Sequence, residues 1–222
     1  MGRAKKLGKR AGGFHLDTVE IALLLLRRMK KLCSLLPLSL LAALLGAGCA
    51  GLPKTTVPVA RISQPPPGKA LVNFHRPSGS AGPRAFAIFD GNGKMLIDLP
   101  GQSLFQLVCD PGENVFLGSA DHVSVVKADL APDKIYDIMV DVSIGWVREN
   151  IFLTAMSKTN NRRPKLAEFE RREKNTVGLN TASPRVAEYQ AARQPEIAKI
   201  KADFLGGPKS DRLQLLQRDD CR

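Results

Sequence analysis

Between Lys69 and Met156 the chain is punctuated, with short apolar runs and a turn signal every 8–12 residues. The runs occupy 70–75, 84–90, 94–99, 103–109, 114–118, 123–128, 135–142 and 146–156. None holds a 3.6-residue period over the ~10 residues that a buried helix needs. The clearest is 135–142, where Tyr136, Ile138, Val140 and Val142 fall on one face and Asp137 and Asp141 on the other. Asp90-Gly-Asn-Gly between two runs reads as a hairpin turn, and Asp110-Pro-Gly-Glu as another whose glycine can take positive φ. Eight short strands at this spacing predict an all-β domain, a small antiparallel β-sandwich or barrel, with the sandwich preferred. The 88 residues of 69–156 suffice for a small core.

Charge sets this region apart from its flanks. Residues 1–48 carry nine Lys/Arg against two Asp/Glu and residues 157–222 carry fifteen against nine, while 49–156 has nine against ten. The net +12 therefore belongs to the ends. A uniformly basic domain would point to nucleic acid; basic ends around a neutral centre point to topology signals and a tail, and no nucleic-acid partner is expected.

The tail, 157–222, is polar and helix-prone. Leu166 and Phe169 share one side of 165–174. Ser183-Pro184 is a helix start, Pro195 should kink or restart that helix, and Gly206-Gly207-Pro208 ends it after a stripe of Ile197, Ile200 and Phe204. The expectation is a helical or partly disordered extension. It either packs on the sandwich or forms a basic arm toward anionic lipid or envelope polymer. On the other side, 49–68 contains Pro53, Pro58 and the run Pro65-Pro66-Pro67, which favours extended polyproline II and reads as a tether.

Upstream, Met29-Lys-Lys opens a basic segment, 32–45 is apolar, and Gly46, Ala47 and Gly48 precede Cys49. The apolar stretch is too short to cross a ~30 Å hydrocarbon core comfortably as a helix, and a Pro/Gly-rich segment rather than a basic flank follows it. The segment 29–48 resembles a bacterial lipoprotein signal, although Leu45 stands four residues before the cysteine and Gly46 takes the place where such signals prefer leucine. The resemblance implies cleavage between Gly48 and Cys49, a thioether-linked diacylglycerol on Cys49, and a further fatty acyl chain, such as palmitate, on its amine. Two or three acyl chains together anchor stably where one does not. Ala50 follows, with no aspartate, which by the same resemblance favours the outer membrane, facing the periplasm. Residues 1–28 fit no part of such a signal and read as an upstream extension, with translation starting at Met29.

Of the remaining cysteines, Cys109 and Cys221 could pair in an oxidising periplasm. The preferred expectation is a buried Cys109 in a strand and a free Cys221, because two cysteines make no framework. No catalytic constellation stands out. His75, His122 and Cys109 match no zinc spacing, and Ser78 lacks a nucleophile-elbow context. Asp90-Gly-Asn-Gly opens like a calcium loop, but Gly101 stands where that loop needs glutamate. Trp146 and Tyr136 are expected to pack rather than to bind sugar. The chain is read as no enzyme, with no cofactor, no metal and no small-molecule substrate.

Residues 65–77 (PPPGKALVNFHRP), 86–91 (FAIFDG), 98–105 (DLPGQSLF), 110–113 (DPGE) and 134–136 (KIY) occur in this order. Together they resemble the small bacterial lipoproteins of domain-of-unknown-function family 2846, over about 69–156. The resemblance implies a β-rich fold in the envelope and supplies no catalytic residues. The expected function is a membrane-anchored envelope lipoprotein with a non-enzymatic binding or structural module, partnered by the membrane through its lipid and by an envelope protein. A hydrolase acting on envelope material and a glycan- or peptidoglycan-binding module are the alternatives.

Overall fold

A computed structural model of the chain describes residues 54–222 apart from 79–83, 122, 145–148 and 174. Cys49, Gly48, the signal segment 29–48, residues 1–28, His122 and Trp146 all lie outside the described residues.

The described part is mostly β. Its strands are β1 (Thr56–Pro58), β2 (Ala70–Arg76), β3 (Phe86–Asp90), β4 (Met95–Leu99), β5 (Ser103–Cys109), β6 (Gly112–Ser119), β7 (Ser124–Leu130), β8 (Ile135–Ile144), β9 (Glu149–Ala155), β10 (Thr176–Leu179) and β11 (Gln214–Leu216). Two helices, α1 (Arg163–Arg172) and α2 (Pro184–Phe204), interrupt the last third. The six-stranded sheet has the order β1-β10-β5-β2-β8-β9, and the five-stranded sheet β11-β7-β6-β3-β4. Alternation along each strand sends one set of side chains between the sheets. Val72, Phe74, Phe105, Ile138 and Val140 from the first sheet meet Ile88, Ile97, Phe116 and Val126 from the second in one buried cluster. Phe74 sits at its centre, edge-on to Phe116 at 5.2 Å and stacked on Phe105 at 5.7 Å.

The outer face of each sheet is also covered. On the five-stranded sheet, Ala87, Phe89, Met95, Leu117 and Val125 pack against Val186, Ile197, Ile200 and Phe204 of α2. On the six-stranded sheet, Met139 and Met156 pack against Leu166 of α1. The result is a sandwich with a helix on each outside face, and no described helix is long and apolar enough to cross a membrane.

The eight predicted strands are all present, as β2 to β9, but eight is an undercount: eleven strands occur among the described residues. The sheets are also mixed rather than antiparallel. The hairpins β3–β4, β6–β7 and β8–β9 are antiparallel, as short connections require, whereas β2–β8, β10–β5 and β11–β7 are parallel. In each parallel pair the partners are far apart in sequence, so no turn between them sets their direction.

The extra strands come from the two flanks. In the segment read as a tether, β1 pairs antiparallel with β10, and its Pro58 is tolerated because β1 is an edge. In the segment read as a tail, β10 and β11 extend one sheet each, and both helices cover core faces. Pro195 does not break α2, which runs continuously through it; Ile197, Ile200 and Phe204 are buried beyond it, and that burial offsets the lost backbone bond. The two turns form as read. Asp90 Oδ1 accepts from the amides of Asn92 and Lys94 at 2.8 and 2.9 Å, and Gly112 has φ of 102°.

Candidate functional site

The outward face of β2 carries Asn73 and His75, polar residues where Val72 and Phe74 face the core. Register places Gln106 of β5 beside Asn73, and Asp137 of β8 on its other side. α1 lies over this strip, with the Phe169 ring edge-on to His75 at 6.1 Å. The side chains of His75 and Asp137 are wholly shielded from solvent.

Burial forces these groups to satisfy one another. Asp137 Oδ1 accepts from Asn73 Nδ2 at 3.1 Å and lies 2.9 Å from His75 Nε2. A carboxylate only accepts, so the Nε2 of His75 is the donor in this contact; its buried Nδ1 has no hydrogen-bond partner among the described residues. Arg222, the last residue, donates from Nε to Asp137 Oδ2 at 2.6 Å and from Nη2 to Oδ1. The same guanidinium reaches Glu170 of α1, Nη1 to Oε2 at 3.1 Å.

Burial by itself opposes ionisation of Asp137, but the bonds from His75 and Arg222 outweigh it and hold the carboxyl well below the usual range. For Arg222, burial disfavours the charge, and the bonds to Asp137 and Glu170 reverse this, raising its affinity for the proton.

His75, Asp137 and Glu170 each offer a ligand atom, all within 4.8 Å of one another. The cation this triad holds is the Arg222 guanidinium, bonded to both carboxylates, so a divalent ion would have to displace it. As it stands the arrangement is a structural clamp. It joins β2, β8, α1 and the end of the chain, and it continues through Gln106 Nε2, which donates to Asn73 Oδ1 at 2.9 Å.

Of the described residues that the sequence offers as catalytic or metal candidates, only His75 belongs to this strip; the sequence marks Asp137 and Phe169 for their faces alone. Cys109 ends β5, buried, and Cys221 is half-buried; both are free thiols. Burial, aided by the Asp110 charge, pushes the Cys109 thiol up to about 12, so it is no nucleophile. Ser78 lies two residues beyond the end of β2 and Asp90 serves its turn. Tyr136 is buried, its hydroxyl donating to Arg218 O and accepting from Ala131 N, each at 2.8 Å. Asp137, Glu170 and Arg222 were not foreseen as a group. The available signal was the pair Asn73 and His75 on one strand face opposite the polar face of β8.

Beside the clamp, a groove of about 570 Å³ runs along α1 between Pro77, Met139, Phe169 and Glu173, with Arg162, Lys165 and Arg172 on its rim. A second groove, of about 420 Å³, shares Glu173 and Asn175 with it and extends past Arg61 to β1 and β10.

Compared with protein-family models, with curated proteins and with solved structures, the chain finds no match. The resemblance to the small lipoproteins rests on its quoted motifs alone.

Proposed function

We propose that this chain is a lipid-anchored protein of the bacterial cell envelope, akin to the small lipoproteins it resembles, and that its sandwich is a non-enzymatic binding or structural module. The observation that carries this reading is the signal-like segment ending at Cys49, followed within seven residues by β1, already part of a sheet. A lipid on Cys49 would be joined to the fold by residues 50–55, a reach of at most ~25 Å. This is a short leash, and it would keep the sandwich at the membrane surface, on the outer membrane facing the periplasm. The buried Asp137 and the Arg222 and Glu170 charges around it join elements of the fold, which supports a scaffold over a reaction centre at that strip.

The test is metabolic labelling of the full chain in a bacterial host with a palmitate analogue, alongside crosslinking in the envelope. Label and membrane retention should both vanish in Cys49→Ala, while the sandwich stays folded. Label that persists in that variant rejects the anchor, and the absence of any specific crosslinked partner rejects the reading of the sandwich as a module that binds an envelope protein.

A further inference from the structure

Glu173 caps the C-terminal end of α1, its amide bonded to Phe169 O. Its side chain is 2 % exposed, yet neither carboxylate oxygen accepts a hydrogen bond from the described residues. Its ion pairing among the described residues is limited to Arg61 Nη1 at 4.0 Å, and that half-exposed guanidinium also reaches toward Glu170 at 3.6 Å. A carboxylate withdrawn from water without donors costs several kcal/mol. No element of the fold uses Glu173 in return, in contrast to Asp137, where every oxygen is served. Glu173 instead forms the wall common to the two grooves.

A carboxylate lacks only donors, so the complement to Glu173 is a group carrying N–H and positive charge. The larger groove defines the rest of that ligand. Its rim cations are already engaged at two positions: Arg162 is bonded to Asp141 at 2.5 and 2.7 Å, and Arg172 to Glu168 at 2.6 Å. Lys165 has no ion partner among the described residues and lines the same groove one turn from Phe169. Phe169 and Pro77 give the groove apolar surface, alongside the Glu173 and Lys165 charges.

We propose that this groove binds a zwitterion, an alkylammonium seated on Glu173 whose aliphatic stem lies on Phe169 and Pro77 and whose carboxylate meets Lys165. The proposal rests on reading the sandwich as a binding module and is indifferent to the lipid on Cys49. A simple polycation is disfavoured by the basic rim, and a simple carboxylate would leave Glu173 unserved.

The experiment is calorimetric titration of the full chain with three probes of equal length: ε-aminocaproate, hexylammonium and caproate. Binding should be tightest for ε-aminocaproate, weaker for hexylammonium and absent for caproate. Glu173→Gln should weaken ε-aminocaproate by about tenfold or more, the scale of one lost charge-assisted contact. Lys165→Gln should erase the preference over hexylammonium. Arg61→Gln, which frees Glu173 from its only recorded ion partner among the described residues, should tighten binding, an effect that misfolding cannot imitate. No heat from any probe up to about 10 mM, caproate binding as well as ε-aminocaproate, or no tightening in Arg61→Gln overturns the proposal. Lipid labelling and partner crosslinking of the unaltered chain do not depend on these outcomes, so the groove and the envelope reading fail separately.

Discussion

The guanidinium of Arg222 forks over both oxygens of Asp137, a carboxylate with no solvent exposure of its own. The two partners are not equally trapped, because the Arg222 side chain is about a third exposed and can turn to water if its partner is lost. Asp137 cannot. Removing Arg222 as Arg222→Ala therefore leaves a buried charge served only by Asn73 and His75, and should cost about 3 kcal/mol or more of stability. Asp137→Asn keeps the shape and leaves a guanidinium that reaches solvent, so its cost should be nearer 1–2 kcal/mol. Urea unfolding of the two variants checks the order; a larger loss in Asp137→Asn would mean that Arg222 contributes little.

The same pair gives an acid response of known sign. Burial raises the Asp137 carboxyl, but the bonds from His75 and Arg222 lower it by more, so its folded value lies below the ordinary ~3.9 of an unfolded chain. Its stabilising contribution is complete above that unfolded value and is lost as pH falls toward the folded one. Stability measured by denaturant midpoint should decline from about pH 5 downward, and Asp137→Asn should flatten that decline. An unchanged slope in the variant would assign the acid sensitivity to other carboxylates.

Gln106 treats Ile62 as a strand would: its Oε1 accepts from Ile62 N at 2.6 Å and its Nε2 donates to Ile62 O at 2.8 Å. This amide holds the segment that leads from β1 to β2 against the outer face of the sheet. Gln106→Leu keeps the bulk and removes both bonds together with the one to the buried Asn73 Oδ1, which should cost about 2–3 kcal/mol. Amide exchange should accelerate at Ile62 and at β1, with β8 and β9 unaffected. Protection that stays unchanged at Ile62 would show that β1 pairing alone fixes this segment.

What the sequence made legible follows from the length of each signal. Strands β2 to β9 span five to ten residues, enough for alternation and flanking turns to show. β1, β10 and β11 span three or four, too few to distinguish a strand from a loop, and they exist because a formed sheet edge accepts them. The stripe Ile197, Ile200 and Phe204 declared an apolar face on α2 but not what it would cover. At the clamp, His75 and Asp137 lie 62 residues apart in sequence and Asp137 and Arg222 85 apart. Residue types alone do not bring such distant positions together; the parallel β2–β8 pairing does. Glu173 gave no signal at all, since a glutamate after a helix is ordinarily solvated.

Cys109 and Cys221 should differ sharply as thiols, although both are free. Burial pushes the Cys109 thiol up to about 12, and the neighbouring Asp110 charge adds to the shift, so thiolate is scarce there near neutral pH. Its sulfur is also inside the core cluster, while Cys221 is only half-buried at its edge. Reactivity requires both thiolate and access. Brief alkylation of the folded chain at about pH 8, followed by peptide mapping, should modify Cys221 and spare Cys109, and denaturant should bring Cys109 to the same extent. The two sites should also stay unlinked under air, because Cys109 cannot reach an attacking thiolate without opening β5. Rapid native labelling of Cys109, or a Cys109–Cys221 disulfide formed without loss of structure, would overturn this placement of β5 in the core.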